Sequence, residues 1–455
     1  MKKQLILVAI VWAMPLLVGN LAPISAGVAF AEEKETRKVP AMRERTYKTL
    51  SEAQVLIDPK SVQVEEGEEP PDVKPDPKGA IDMLLKLLDR RGMNSYEIAQ
   101  TWNTLAFAYY TIDDIPNTIK SYENVLKETI TEALELSSLR ALFQLYYSQE
   151  NYKKALEYID KWQALKEIPD TDVTYIKATV YYQLGDYKKA LETALQVEQI
   201  AKSQDKQMKE QWWYLQVVLY NETKNYPKVI DVLEQLIKHY PKKQYWMHLA
   251  GMYSETDQDD KALSAYYAAY TQGMFTKETE IVMLAQRLLN AEVPYEAAQI
   301  LEKGFKDGIV EENEKNIKLL ATAYTMAQDM GKAIDAWRDA TKYADNGELY
   351  YRLAQALSQQ DRHKEAVVAY QSALDKGGLG KDVPDVNFWM GISLMQLERW
   401  DEATKAFREA AKDKDKAKNA RQYIQYIASE KKRQEELKKM IEATGPETTK
   451  KVPQG

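Results

Sequence analysis

The side chains that could carry catalytic or metal-binding chemistry are few in this 455-residue chain. There is no cysteine, which excludes thiol and disulfide chemistry, and the histidines His239, His248 and His363 lack the spacing of metal ligands. No nucleophile elbow, phosphate-binding loop or calcium loop occurs, and the glycines of 377–380 lie between helical units rather than between a strand and a helix. The sequence therefore predicts no catalytic residue, no cofactor and no metal, and a protein that is not an enzyme.

Tyrosine is the residue type whose number and spacing suggest a function. The chain has 30 tyrosines, and doublets at 109–110, 146–147 and 181–182 each place one ring towards a core and the next away from it. Tyrosine supplies a large contact area at low entropic cost, and its hydroxyl fixes the orientation of a partner. The chemistry that these residues favour is recognition of another molecule.

Paired helices are the elements that would position these tyrosines. Around the Gly185-Asp186 corner, small and apolar residues recur at three- and four-residue steps, the pattern of two antiparallel helices joined by a tight turn. Neither helix can bury its apolar face alone, so the unit has to stack on copies of itself. Residues equivalent to Ala190, which we call anchors, recur every 33–39 positions: Thr118, Ala155, Ala190, Val229, Ala262, Ala297, Ala333, Ala366 and Ala403.

These units resemble the tetratricopeptide repeat over roughly residues 99–416, because the period is close to about 34 residues and bulky residues recur at fixed distances from the anchors. The resemblance implies an all-α fold, a right-handed superhelical solenoid of about nine hairpins whose first helices line the concave face. An extended peptide bound there is one interpretation of the tyrosines, and packing between neighbouring first helices is the other. The predicted protein-binding residues are Asn103, Phe107, Tyr110, Arg140, Gln144, Tyr147, Tyr175, Tyr182 and Tyr214.

The amino terminus predicts export. Two lysines precede an uncharged stretch, 4–31, that ends in the small-x-small sequence Ala29-Phe30-Ala31, the layout of a secretory signal peptide over residues 1–31. An uncleaved inner-membrane anchor is the alternative, since the stretch is long enough to span a bilayer. We expect a periplasmic protein that contacts membranes only through its partners. The net charge of −7, or −9 without the two lysines, argues against nucleic-acid binding.

Composition divides the chain further. A helix is predicted over 41–57, and the acidic, proline-rich stretch 58–78 is predicted to be a mobile loop, either a solvated linker or an acidic docking motif. Residues 79–91 read as the second helix of a broken first unit, and 415–443 as one capping helix. The predicted domains are a signal peptide (1–31), an N-terminal helix with its loop (32–78), the repeats (79–414), and a capping helix with a disordered tail (415–455).

A narrower resemblance covers nearly all of the mature chain. The stretches that carry it are similar to those of periplasmic tetratricopeptide proteins encoded beside TonB–ExbB–ExbD systems of gammaproteobacteria. It implies an accessory role in TonB-dependent uptake of iron chelates, with TonB, ExbB/ExbD-type inner-membrane components or an outer-membrane receptor as partner. A scaffold for peptidoglycan or outer-membrane assembly is the alternative function. The stretches are 37–43 (RKVPAMR), 93–97 (MNSYE), 240–246 (YPKKQYW) and 376–379 (KGGL).

Overall fold

The computed structural model describes residues 37–59 and 73–443. All regular structure in these residues is helical and none of it is strand, which confirms the all-α repeat class. The predicted signal peptide, residues 60–72 of the acidic loop and the tail from residue 445 lie outside the described residues.

Residues 1–232 and 233–455 form two compact units, and the division falls within the tenth helix. From α1 to α9 each helix packs on its neighbour in the chain, and α1 pairs with α2 ahead of the first full repeat. The helices that begin in this unit are α1 (Glu44–Ile57), α2 (Pro77–Leu88), α3 (Ser95–Thr111), α4 (Ile115–Val125), α5 (Glu132–Ser148), α6 (Tyr152–Leu165), α7 (Thr171–Gln183), α8 (Tyr187–Ser203), α9 (Glu210–Glu222) and α10 (Tyr226–His239).

The second unit repeats the same arrangement and ends in one long helix. Its helices also pack in chain order, each hairpin on the next. They are α11 (Lys243–Glu255), α12 (Asp259–Thr271), α13 (Glu278–Asn290), α14 (Pro294–Lys306), α15 (Glu314–Met326), α16 (Met330–Ala340), α17 (Glu348–Gln359), α18 (His363–Lys376), α19 (Val383–Gln396), α20 (Trp400–Ala410) and α21 (Lys414–Ala443).

The anchors occupy equivalent positions in the structure. Each is the fourth residue of the second helix of a hairpin, and the most exposed of them, Ala262, retains 1% of its accessible surface. A residue this small lets the two helices approach closely, and the bulky residues around it fill the space to the next hairpin. The repeat register predicted from the sequence is therefore confirmed.

One turn geometry joins the two helices of every described repeat hairpin. The connection has three residues, and its middle residue, five before the anchor, has a positive φ of 54–77°. The next N–H then bonds to a carbonyl of the first helix, as Asp186 does to Tyr181 at 3.0 Å, which ends that helix in a Schellman-type cap. Gly185 suits this left-handed conformation, whereas the other hairpins use Asp113, Glu150, Lys224, Asp257, Glu292, Gln328, Asp361 and Glu398.

A buried carboxylate joins the N-terminal hairpin to the first repeat. The side chain of Glu97 is fully buried, and its partner Arg43 is 55% exposed. Glu97 accepts bonds from the Arg43 guanidinium and backbone N–H, from the Thr46 hydroxyl at 2.9 Å and from the Asn94 N–H at 3.0 Å. These bonds, the Arg43 side chain foremost, lower the pKa of Glu97 to about 2. Two of the stretches that carry the narrower resemblance, 37–43 and 93–97, thus meet in space.

Tyrosine–carboxylate contacts link successive hairpins elsewhere in the first unit. Glu123 on α4 accepts hydrogen bonds from the hydroxyls of Tyr146 on α5, at 2.7 Å, and Tyr158 on α6, at 3.0 Å. The two rings stack with 5.5 Å between centroids, and Lys154 lies 5.0 Å above the Tyr146 ring and 3.7 Å from Glu123. The carboxylate therefore connects three helices at once.

The final helix packs on the last hairpin, as a capping helix should. Its residues Ala420 and Ile427 are buried, and Tyr423 stacks on Phe407 of α20 with 5.1 Å between the ring centroids. From Lys431 onward nearly every described side chain is exposed. The first half of α21 thus covers the apolar end of the repeats, and the second half is solvated.

Candidate protein-binding surface

The predicted binding residues all lie on first helices of the first unit. They fall into rows that stand 8, 11 and 15 residues before an anchor, so that one row repeats the same side of successive helices. Each of them keeps some accessible surface. They are Asn103, Phe107 and Tyr110 on α3, Arg140, Gln144 and Tyr147 on α5, Tyr175 and Tyr182 on α7, and Tyr214 on α9.

The rings differ in how far they are exposed. Tyr110 and Tyr214 are 42% and 37% exposed. In the middle doublet Tyr146 is buried, at 8% exposed, and Tyr147 is half-buried, whereas both rings of the 181–182 doublet are half-buried. The surface therefore combines open rings at its two ends with half-buried rings between them.

Tyr147 lies where two hairpins meet. Its hydroxyl faces the side chains of Thr179 and Gln183 on α7, and burial raises its pKa. Within its own hairpin, the ring meets Tyr152 edge-on with 5.6 Å between centroids. These contacts fix the ring, so its remaining exposed surface is held in place before any partner binds.

The predicted surface continues on α7 with Tyr175 and Tyr182. Burial, with Tyr147 close by, raises the pKa of Tyr175 to about 12. The Tyr182 ring lies 5.6 Å from that of Tyr187, and burial followed by the nearby Glu222 raises the pKa of its hydroxyl. All of these hydroxyls stay protonated at neutral pH, so they donate as well as accept hydrogen bonds.

Polar side chains with no internal partner alternate with these tyrosines. Asn103, Arg140 and Gln144 form no side-chain hydrogen bond or ion pair with any described residue, although all three are half-buried. Phe107 packs on the apolar cluster formed by α1, α2 and α3. An amide, a guanidinium and tyrosine rings on neighbouring helices can together bind the peptide groups and side chains of an extended chain.

The groups considered for catalysis do not converge. Burial lowers the pKa of His248, so its ring is neutral at neutral pH, and His363 lies 3.6 Å from the exposed Asp361. Across residues 37–59 and 73–443, no three histidine or acidic side chains are grouped so that they could hold a metal. No helix in this part of the chain combines the length and the hydropathy needed to cross a bilayer.

Two clefts were not predicted from the sequence. One, of about 340 Å³, lies between α6, α7 and α8 of the first unit beside Trp162. The other, of about 440 Å³, lies in the second unit beside Trp246. The sequence signal for the second cleft is the small side chains of α12 at positions where other second helices carry long ones.

Comparisons with known proteins agree with the repeats seen in the structure. Residues 140–206 and 347–375 match family models described as tetratricopeptide repeat, which confirms repeats of this type in those two segments. No curated protein matches the chain.

Solved structures similar to parts of this chain include MamA, residues 41 to the end, from Desulfovibrio magneticus RS-1, at 16% identity. The alignment covers 38% of this chain and 94% of that one, with a TM-score of 0.32. YrrB, titled a TPR protein with an unusual peptide-binding site, is 17% identical over 42% and 97% of the two chains, with a TM-score of 0.33. The C-terminal part of a TPR protein from Cytophaga hutchinsonii is 16% identical over 54% and 98%, with a TM-score of 0.34.

Proposed function

We propose that this protein is a non-enzymatic scaffold that binds an extended segment of another protein along α3, α5, α7 and α9. The observation that carries the proposal is the set of polar side chains without internal partners, Asn103, Arg140 and Gln144, placed among fixed tyrosine rings. These side chains are only half-buried, so water can reach them and a bound segment would replace that water as their hydrogen-bond partner. A peptide backbone supplies the carbonyl acceptors and N–H donors that these three side chains lack within the described chain.

The chemistry of the surface favours an extended, proline-rich partner. Proline-rich segments adopt an extended helix with solvated carbonyls, and they bind to rows of aromatic rings because little entropy is lost. The tyrosines at 110, 147 and 182, each eight residues before an anchor, supply such a row, and Tyr214 adds a further ring on α9. Arg140 adds a positive charge that favours an acidic side chain or a carbonyl at the centre of the bound segment.

We further propose a periplasmic role as an accessory component of TonB-dependent uptake of iron chelates. The support is the signal-peptide pattern of residues 1–31 and the resemblance carried by stretches such as 37–43 and 93–97. The periplasmic part of a TonB-like protein is extended and proline-rich, which is the ligand chemistry that the tyrosine row favours. TonB itself, an ExbB/ExbD-type component or an outer-membrane receptor would supply the segment.

Site-specific photocrosslinking in cells tests both levels of the proposal. A photoreactive residue is placed at Tyr182, within the row, and at Lys188, an exposed position on the second helix of the same hairpin, as the matched control. We expect iron limitation to yield a crosslink to a proline-rich envelope protein from position 182 and none from position 188. The same products from both positions would refute the surface. Products belonging only to peptidoglycan or outer-membrane assembly would refute the TonB role and keep the scaffold.

Purified components give the second test. A synthetic proline-rich peptide with one central glutamate is titrated against the wild-type protein and against Arg140→Ala and Lys188→Ala. We expect Arg140→Ala to weaken binding by about tenfold, equivalent to about 1.4 kcal/mol, because a buried charged contact in an interface is a typical hot spot. Lys188→Ala should leave the affinity unchanged. Equal affinities for all three proteins would contradict the proposed surface.

A further inference from the structure

The outward-facing side of the second helices departs from its repeat pattern at α12. We call the positions two, five, six and nine residues after each anchor the outer positions. Among the described second helices, each one except α12 has at least one charged residue at its outer positions, such as Glu157 on α6 or Glu409 on α20. The outer positions of α12 carry only uncharged side chains: Ser264, Tyr267, Ala268 and Thr271.

These small side chains leave a cleft of about 440 Å³ uncovered in the second unit. The indole of Trp246 and the side chain of Leu249, both on α11, line it, and Ser264, Ala265 and Ala268 form the α12 wall. Some other second helices carry a long charged side chain at the position of Ala268, for example Lys303 on α14 and Glu409 on α20. On α12 no such side chain covers the apolar lining of the cleft.

The rim of the cleft is basic. Lys238 and Lys261 lie at the rim together with a single carboxylate, Glu234. Glu234 accepts a hydrogen bond of 2.7 Å from the Tyr253 hydroxyl, so part of its acceptor capacity is already used. Lys261 lies 5.5 Å above the Tyr253 ring, and Lys238 forms no ion pair with any described residue. Charge complementarity favours an acidic ligand here.

A second polar feature points in the same direction. The indole N–H of Trp246 is buried and has no hydrogen-bond partner within the described part of the chain. Buried donors in folded proteins are nearly always paired, since an unpaired donor costs about 1–3 kcal/mol. Trp246 also lines the cleft, so this unpaired donor belongs to a residue that a bound ligand would contact.

We propose that this cleft binds an acidic segment of a partner protein, which inserts one large apolar side chain between α10 and α12. The apolar side chain covers Trp246 and Leu249, and a flanking carboxylate pairs with Lys238. The volume lies within the range of about 300–1,000 Å³ that is typical of binding pockets. This site lies in the second unit and uses none of the residues of the tyrosine row, so either proposal can fail without the other.

Fluorescence anisotropy with the purified full chain tests the choice of ligand. The probe is a labelled octapeptide with leucine and phenylalanine at its centre and glutamates on both sides. Two matched peptides replace the glutamates by lysines or the central pair by alanines. We expect the acidic apolar peptide to bind at least tenfold more tightly than either control. Equal binding of all three peptides, or no binding of the acidic apolar peptide at concentrations up to about 1 mM, overturns the proposal.

Two matched variants test the place of binding. Ala268→Glu introduces the charged side chain that α20 carries at this position, and Ser372→Glu makes the same change at the equivalent position of α18. We expect Ala268→Glu to weaken binding of the acidic apolar peptide by at least tenfold and Ser372→Glu to leave it unchanged, with melting temperatures that stay alike. Equal affinities for the two variants overturn the site. A dimer in sedimentation that Ala268→Glu dissociates would assign the face to a second copy and overturn the peptide proposal.

Discussion

Replacing Glu97 by glutamine probes the contact between the N-terminal arm and the first repeat. In the wild-type protein only donors surround the two carboxylate oxygens: the Arg43 guanidinium and N–H, the Thr46 hydroxyl and the Asn94 N–H. Glutamine keeps the shape of the side chain, but its amide group brings two donors into this environment. At least one amide N–H must then face another N–H, and the charge that pairs with Arg43 is lost.

The size of the effect follows from burial. Breaking a fully buried ion pair costs about 3–5 kcal/mol, because the remaining charge is left without a partner. Glu97 is fully buried, but the Arg43 side chain is 55% exposed and water can still solvate it. We therefore expect Glu97→Gln to lower the free energy of unfolding by about 2–3 kcal/mol at neutral pH.

The same contact predicts a pH dependence with a definite sign. The folded protein lowers the pKa of Glu97 to about 2 from an ordinary value of 4.5, chiefly through the hydrogen bond from Arg43. A lowered pKa contributes stability that is present above pH 4.5 and is lost as the pH falls towards 2. The free energy of unfolding attributable to Glu97 should thus decline across this window in the wild type, and Glu97→Gln should lack that decline.

Hydrogen exchange of α1, α2 and α3 is the appropriate assay, because repeat proteins open locally and one global melt averages over all units. Wild type, Glu97→Gln, Arg43→Met and the double variant form a cycle at pH 7 and pH 3. Glu157→Gln, which removes an exposed i,i+4 pair with Lys161, is the matched control and should change stability by less than about 0.5 kcal/mol. Unchanged protection of these helices in Glu97→Gln at both pH values would refute the reasoning.

Three further predictions concern the repeats. Gln328→Gly should raise the free energy of unfolding by about 0.5–1 kcal/mol, because the φ of 58° at Gln328 is unfavourable for any residue with a side chain. A lower free energy of unfolding in urea melts would contradict this prediction. Ala190→Leu should cost about 1–3 kcal/mol in a thermal melt, because Ala190 is fully buried at a helix crossing, whereas Lys188→Leu on the exposed side of α8 should cost little. Tyr146→Phe should lower the free energy of unfolding by about 1–2 kcal/mol, because its 2.7 Å hydrogen bond to Glu123 is lost. The loss in the double variant with Glu123→Gln should be smaller than the sum of the two single losses. Additive losses would mean that the two side chains act separately.

The candidate binding surface shows how far a repeat register predicts function. Counting from the anchors placed Tyr110, Tyr147 and Tyr182 on the same side of successive first helices, because a helix of known register fixes which residues share a face. The register did not predict that the Tyr147 hydroxyl faces Thr179 and Gln183 on the next hairpin. Those partners depend on the distance and rotation between hairpins, which the sequence of either hairpin alone does not specify.

The sequence also did not predict which distant segments contact each other. The stretches 37–43 and 93–97 stood out in the sequence without any mechanism that linked them. In the structure the exposed Arg43 and the buried Glu97 form an ion pair, 54 residues apart in the chain. The cleft beside Trp246 could likewise be found only in the structure, because three helices form its walls and its opening depends on the small side chains of α12.

The sequence by itself determined the helices, the tight turns between them and the buried anchors, because apolar periodicity and small residues act within one hairpin or between adjacent ones. Only the tertiary structure decided which polar groups are paired. It also placed mostly non-glycine corner residues in the left-handed conformation, paired Glu97 with Arg43, and left Arg140 and the Trp246 indole without partners among the described residues. The physical reason is that pairing depends on where separate hairpins bring their side chains, and that placement arises only when the units stack.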